Sequence, residues 1–318
     1  MRALLLDGNG VRLDADRPDP VPAAGEVLVR VLQAGICETD LQLIQGYKGF
    51  RGVLGHEFVG VALGGLHEGR RVVSEINCSC WTCETCAAGR PGHCPHRTVL
   101  GILDHDGAFA DLIAVPERNL HVVPDSVETE VAVFTEPVAA AFQVPSQVPV
   151  ARDDRVIVLG DGRLGHLCAQ VLAGLSNHVL VIGKHRQKLS LLDGLGIEGR
   201  LLHERPADRT ADLVVDCTGS ESGLATALDL VRPRGTIVLK TTIARTQTLS
   251  LAPVVVDEVT IVGSRCGPFA PALDALAGGL IDVRPLISDR FDLSEGVRAL
   301  ERAAEPGVLK VLLSAQQP

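Results

Sequence analysis

Cys80, Cys83, Cys86 and Cys94 stand at the spacing C-x-x-C-x-x-C-x7-C. Two C-x-x-C steps that share a cysteine can place three thiolates around one ion, and a fourth sulfur arriving after a loop closes a tetrahedron. Four sulfurs in that geometry favour Zn²⁺ in a closed, structural site. The loop Ala87-Ala88-Gly89-Arg90-Pro91-Gly92-His93 is turn material, as a closing loop requires. His93 and His96 flank Cys94, but four cysteines already fill the shell, so both read as loop residues.

Gly160-Asp161-Gly162-Arg163-Leu164-Gly165 is G-x-G-x-x-G, placed directly after the apolar run RVIVL and before a helical pattern. That context makes it a dinucleotide-binding turn. Gly160 permits the tight turn, Gly162 lets a pyrophosphate approach the backbone, and Gly165 lets helix pack on strand. The helix start at Arg163 and Leu164 offers free N–H groups and a positive dipole end to the phosphates. An NAD site would carry Asp or Glu at the end of the next strand, HVLVI, to accept ribose hydroxyls. This chain has Gly183 there, followed by Lys184, His185 and Arg186. A missing carboxylate beside a basic cluster suits a 2′-phosphate, so NADP(H) is expected in preference to NAD(H).

Three shorter segments hold further reactive groups. Cys37 is followed two residues on by the hydroxyl of Thr39, His56 is followed by Glu57, and Glu136 precedes Pro137. The elements that must position them change character along the chain. Residues 1 to about 143 read as short strands and Gly/Pro turns, such as the hairpin LLLDGNGVRL, the strand EVLVRVLQAGI, VGVAL and RRVVS. Such a series suggests a partly open β-barrel. Val131–Val144 looks helical. From Asp154 apolar strands alternate with helices, the pattern of a parallel sheet covered on both faces. The expected fold is therefore α/β, with boundaries near 143 and 268: domains 1–143, 144–267 and a tail 268–318.

Composition narrows the class. The 318 residues suffice for two domains, and 46% are apolar without a run long enough to span a membrane. The start lacks a signal-peptide layout, and most of the nine cysteines are clustered at metal spacing, so a soluble, cytoplasmic protein is expected. A net charge of −9 argues against nucleic-acid and anionic-membrane partners.

Together the cysteine run, the glycine turn and the three short segments resemble the zinc-dependent alcohol dehydrogenases of the medium-chain dehydrogenase/reductase superfamily. The Glu-Pro form of the third segment resembles the sorbitol, glucose and threonine dehydrogenase branch. The resemblance runs in order along nearly the whole chain and includes DGAFADL, NLHVVPD, LVRPRGTIVL and VLKVLL. It implies a GroES-like catalytic domain, a doubly wound Rossmann domain, and two zinc ions per chain. It implies hydride transfer between a small alcohol or carbonyl and a nicotinamide cofactor. An altered or inactive member that still binds zinc and cofactor is the alternative.

By the same resemblance Cys37, His56 and Glu136 match catalytic zinc ligands, and Glu57 matches a carboxylate that binds zinc directly or through water. Asp40 matches the acid that orients the histidine, and Thr39 the hydroxyl that takes the substrate proton. Lys310 matches a basic residue that reaches the pyrophosphate, and Thr218 falls within the cofactor site. Thr39, Ile76 and Phe109 are expected to face substrate, with Tyr47, Lys48 and Phe50 near the entrance. Cys78 lies outside the family spacing. Cys168, Cys217 and Cys266 read as buried core thiols. Many members carry a histidine three residues after the relay hydroxyl; here Gln42 stands there, and Glu38 adds charge beside Cys37. A homodimer or homotetramer is implied, paired through VTIVGSRCG.

Overall fold

A computed structural model describes residues 1–241 and 250–315. The chain divides into two compact units. One comprises Met1–Glu136, Ala272–Ala277 and Val283–Pro318, the other Pro137–Pro271 and Gly278–Asp282. The division falls near the start of the helix Thr135–Gln147. Sequence texture changes later, near 143, because the first turns of that helix are as apolar as the segment before them.

The first unit is organised by one long strand, Glu26–Gly35. Val27, Val29 and Val31 alternate inward and are buried. Along one edge the strand pairs with Glu57–Ala62, with a register shift between Val31 and Gln33. Along the other it pairs first with Leu112–Pro116 and then with Lys310–Ser314. A strand that changes partners across an irregular register bends, and the bend curls the sheet toward a barrel. Arg71–Ser74, Leu120–Val122 and Ile287–Asp292 complete a seven-stranded sheet. The expected hairpin is Ala3–Asp7 with Gly10–Asp14, joined by Gly52–Val53 in a separate three-stranded sheet. Leu4, Ile36, Leu54, Phe58, Phe109 and Leu313 are among the buried core.

The second unit holds six parallel strands. Their spatial order is Glu198–Leu201, His178–Gly183, Arg155–Leu159, Ala211–Asp216, Val231–Leu239, Thr260–Gly263. In chain order that is 3-2-1-4-5-6, the doubly wound arrangement. The order reverses beside Arg155–Leu159, so the turn after that strand opens at the switch point where ligands bind in such sheets. No described helix is long and apolar enough to cross a membrane.

Two glycines separate the effect of space from that of backbone conformation. Gly55 has φ +97°, and a Cβ there would lie 2.3 Å from the buried Phe109 ring. Gly10 has φ +107° with nothing within 4 Å. We expect Gly10→Ala to cost about 1–2 kcal/mol from backbone strain, and Gly55→Ala about 3–5 kcal/mol because overpacking adds to it. Urea unfolding of both variants checks this; equal losses would remove the packing explanation.

Candidate active site

Cys37 follows the end of the long strand and caps the helix Glu38–Ile44. The Asp40 carboxylate folds back to accept the Cys37 backbone N–H at 2.8 Å through Oδ2. Its other oxygen, Oδ1, faces His56 Nδ1 at 3.3 Å. The two atoms are close but poorly aligned, and neither has a hydrogen-bond partner among the described residues. Asp40 is wholly buried and His56 nearly so. Burial works against protonation of His56, but the charges of Asp40 and Cys37 outweigh it and raise its pKa well above the usual value.

Glu57 lies in register opposite Gly35. A Cβ on Gly35 would meet the Glu57 carboxylate at 2.8 Å, so the missing side chain makes room for it. Donor atoms of Cys37, His56 and Glu57 then lie within 4.8 Å of one another. Thr39 Oγ1 is 3.8 Å from Cys37 Sγ. A thiol, an imidazole and a carboxylate converging in a buried place suit a divalent cation, and the Asp40 carboxylate behind the imidazole is the support such a ligand uses. Glu136, in the first turn of Thr135–Gln147, does not join the three within that radius. Matching residues by chain order carries no distance, and here Glu57 is the carboxylate drawn in.

Lys310 is only 1% exposed, and its ammonium binds the Glu57 carboxylate and donates to the Ile36 carbonyl at 3.2 Å. It also lies 5.5 Å over the Phe134 ring. This differs from the expected reach toward a pyrophosphate. The strand Lys310–Ser314 pairs against Gln33–Gly35, which turns Lys310 inward, where a buried ammonium requires an anion.

The cysteine lobe is assembled separately. Sulfur–sulfur distances are 3.4 Å for Cys80–Cys94, 3.5 Å for Cys83–Cys86 and 3.8 Å for Cys83–Cys94. A tetrahedron with zinc–sulfur bonds of about 2.3 Å has edges of about 3.8 Å. The backbone N–H of Thr82 draws the Cys80 thiol down to about 5, while burial pushes Cys86 up to about 12. Cys78 stays outside this group, and burial raises its thiol to about 12.

In the second unit Gly160 has φ +113°, and a Cβ there would lie 2.7 Å from the Cys217 carbonyl. A Cβ on Gly165 would lie 2.0 Å from the Gly160 carbonyl, so helix and turn touch as expected. Among the described residues nothing lies within 4 Å of a Cβ on Gly162, which caps the helix Arg163–Ala173, with Leu164 in its first turn. That open face fits a pyrophosphate. Thr218 stands just past the strand Ala211–Asp216, its N–H and hydroxyl both bonded to Asp216 Oδ1.

Asp161 is a further candidate that the glycine spacing alone does not single out. Its Oδ2 accepts the backbone N–H groups of Lys184 at 2.7 Å and His185 at 2.6 Å, and its carboxylate lies 3.1 Å from His185 Nδ1. Arg186 pairs with Glu204 at 2.7 Å. A carboxylate inside the turn, opposite a glycine at the next strand's end, was the available signal. Of the expected pocket residues, Ile76, Phe50 and Phe109 are buried. Tyr47 packs partly against the core under the Lys48 ammonium. Cys168 is buried as expected, whereas Cys217 and Cys266 are partly exposed because both follow strand ends.

With fold and site in view, the chain belongs to the zinc-dependent alcohol dehydrogenase-like family of the medium-chain dehydrogenase/reductase superfamily. It is an alcohol dehydrogenase-type oxidoreductase. The alcohol dehydrogenase GroES-like domain matches residues 23–125 and the zinc-binding dehydrogenase domain residues 164–278. The starvation-sensing protein RspB of Escherichia coli (strain K12) is 30% identical over 323 residues, covering 94% of each chain. The sorbitol dehydrogenase of Halalkalibacterium halodurans is 28% identical over 341 residues, covering 99% of each. A structure described as a short chain alcohol dehydrogenase (rspB) of Escherichia coli CFT073, solved with NADH, matches with a TM-score of 0.91 at 29% identity over 99% of both chains. Among similar solved structures another carries NADP.

Removing the Lys310 ammonium leaves the Glu57 carboxylate buried without its cation. We expect Lys310→Met to lose about 3–5 kcal/mol and Lys310→Arg much less. Thermal and urea unfolding of the metal-free proteins tests this, and a Met variant as stable as wild type would show that the pair contributes nothing.

Proposed function

We propose that this protein is a zinc-dependent dehydrogenase that transfers a hydride between a secondary alcohol or its carbonyl and a nicotinamide dinucleotide. The convergence of Cys37, His56 and Glu57, with Asp40 behind the imidazole, carries the reading. Cys37 and His56 would hold the catalytic zinc, with Glu57 or Glu136 as the carboxylate. Zinc there supplies Lewis-acid polarisation of the substrate oxygen, and the dinucleotide supplies the hydride chemistry.

The chain's own residues do the rest. Asp40 faces His56 Nδ1 and would orient the ring so that Nε2 could serve a metal. The Thr39 hydroxyl, beside Cys37, takes the substrate proton. Gln42 cannot titrate near neutrality, so it would not carry the proton onward, and the Thr39 hydroxyl would pass its proton to water. Lys310 holds the Glu57 carboxylate and decides how freely it turns toward a metal. Cys80, Cys83, Cys86 and Cys94 would hold a second zinc with no open position.

The similarity to sorbitol dehydrogenase supports a polyol as the first substrate class to try. For the dinucleotide, two features pull in opposite directions. The run Lys184-His185-Arg186 after Gly183 supports NADP(H), and the Asp161 carboxylate supports NAD(H). Thiolates at metal spacing need a reducing compartment, which supports a cytoplasmic setting. The strand Thr260–Gly263 ends the second sheet, and pairing it with a second copy would cover that edge in a homodimer or homotetramer.

We expect two zinc ions per wild-type chain. Cys37→Ser should retain one and lose turnover with polyols, while Cys94→Ser should lose the other. Elemental analysis with an absorbance assay checks both, and a Cys37→Ser protein with full metal and activity would sink the assignment. Two zinc ions and bound cofactor without turnover on any alcohol or carbonyl would instead favour the catalytically altered reading.

A further inference from the structure

We propose, resting on the dehydrogenase reading above, that Asp161 supplies the ribose-facing carboxylate that the end of the second Rossmann strand lacks, and that the chain therefore prefers NAD(H) to NADP(H). In doubly wound dinucleotide sites the discriminating residue stands at the end of that strand. Here the strand His178–Gly183 ends in glycine. The space beside Gly183 is nevertheless filled. A Cβ on Gly183 would lie 2.5 Å from both Cβ and Oδ2 of Asp161. The carboxylate reaches the usual place from the glycine turn instead of from the strand.

Its bonding also removes what a 2′-phosphate would need. The N–H groups of Lys184 and His185 are the donors that precede the helix Arg186–Leu189, and Asp161 Oδ2 already accepts both. Burial raises the Asp161 pKa, but the His185 backbone N–H, its imidazole and the Lys184 N–H outweigh that and hold it below the ordinary value. The carboxylate is thus ionised at neutral pH. Among the described residues Oδ1 meets the His185 ring at 3.2 Å, which leaves it acceptor capacity for a ribose hydroxyl.

The basic run competes weakly. Arg186 is 62% exposed and already paired with Glu204, and the His185 side chain faces Asp161. Exposed charges are screened by salt, whereas a phosphate dianion against a partly buried carboxylate meets like charge at short range. The balance reverses the expectation that Gly183 and its basic neighbours suggest.

The test is binding of NADH and NADPH to the zinc-loaded, full-length protein, by cofactor fluorescence or calorimetry at moderate salt. We expect wild type to bind NADH at least about tenfold more tightly than NADPH, and Asp161→Asn to narrow the ratio to about threefold or less. NADPH binding as tight as NADH in wild type would overturn the proposal, as would an unchanged ratio in a folded Asp161→Asn protein. If that variant does not fold, the wild-type ratio alone decides. Absence of binding by both dinucleotides would sink the dehydrogenase reading itself, and this inference with it.

Discussion

One buried ammonium, that of Lys310, is the contact around which the first unit's site is arranged. Glu57, Asp40 and His56 are all nearly excluded from water, with the Cys37 sulfur among them. Ionised groups in such a place persist only with partners. Lys310 arrives on a strand from the far end of the chain and neutralises Glu57. Gly35 gives up a side chain so that the carboxylate fits. Asp40 is fixed by the Cys37 backbone and so presents its second oxygen to the imidazole. Each choice makes sense once the acids gathered around the thiol and imidazole are counted. A divalent cation could take the place of the His56 proton among the same donors, which is why the cluster reads as a metal centre.

The second unit solves a related problem with other means. An ionised carboxylate, Asp161, is partly buried and satisfied by two backbone N–H groups and an imidazole. In the first unit a side chain from a distant strand supplies the compensation, and in the second the start of a helix does. The first arrangement suits a site where a metal and a proton relay must be held rigidly. The second ties the glycine turn to the next strand's end, so one residue can shape both the pyrophosphate and the ribose regions of the proposed cofactor site.

The four-cysteine lobe is a separate group within the first unit. Its sulfurs are close to the edges of a tetrahedron, and among the described residues neither Cys37 nor His56 belongs to its group. A closed shell of sulfurs leaves no position for substrate, so its proposed zinc would hold a loop and add stability. Division of labour between a closed metal site and an open one would let the loop be stapled without touching the reaction.

Much of this was legible in the residues. Local spacing determined the cysteine group, because C-x-x-C geometry is decided by a few adjacent dihedrals. The glycine turn was legible for the same reason, and the switch from short strands to apolar strands alternating with helices announced two architectures. What the tertiary structure alone decided were the pairings between distant segments. Lys310 with Glu57 depends on which way a strand at the chain's end faces when it joins Gln33–Gly35. Asp161 beside Gly183 depends on the parallel register of Arg155–Leu159 with His178–Gly183. Residue identity and spacing specify local geometry and chemistry, whereas register and facing are collective outcomes of packing, and so the partner of each buried charge emerged only from the fold.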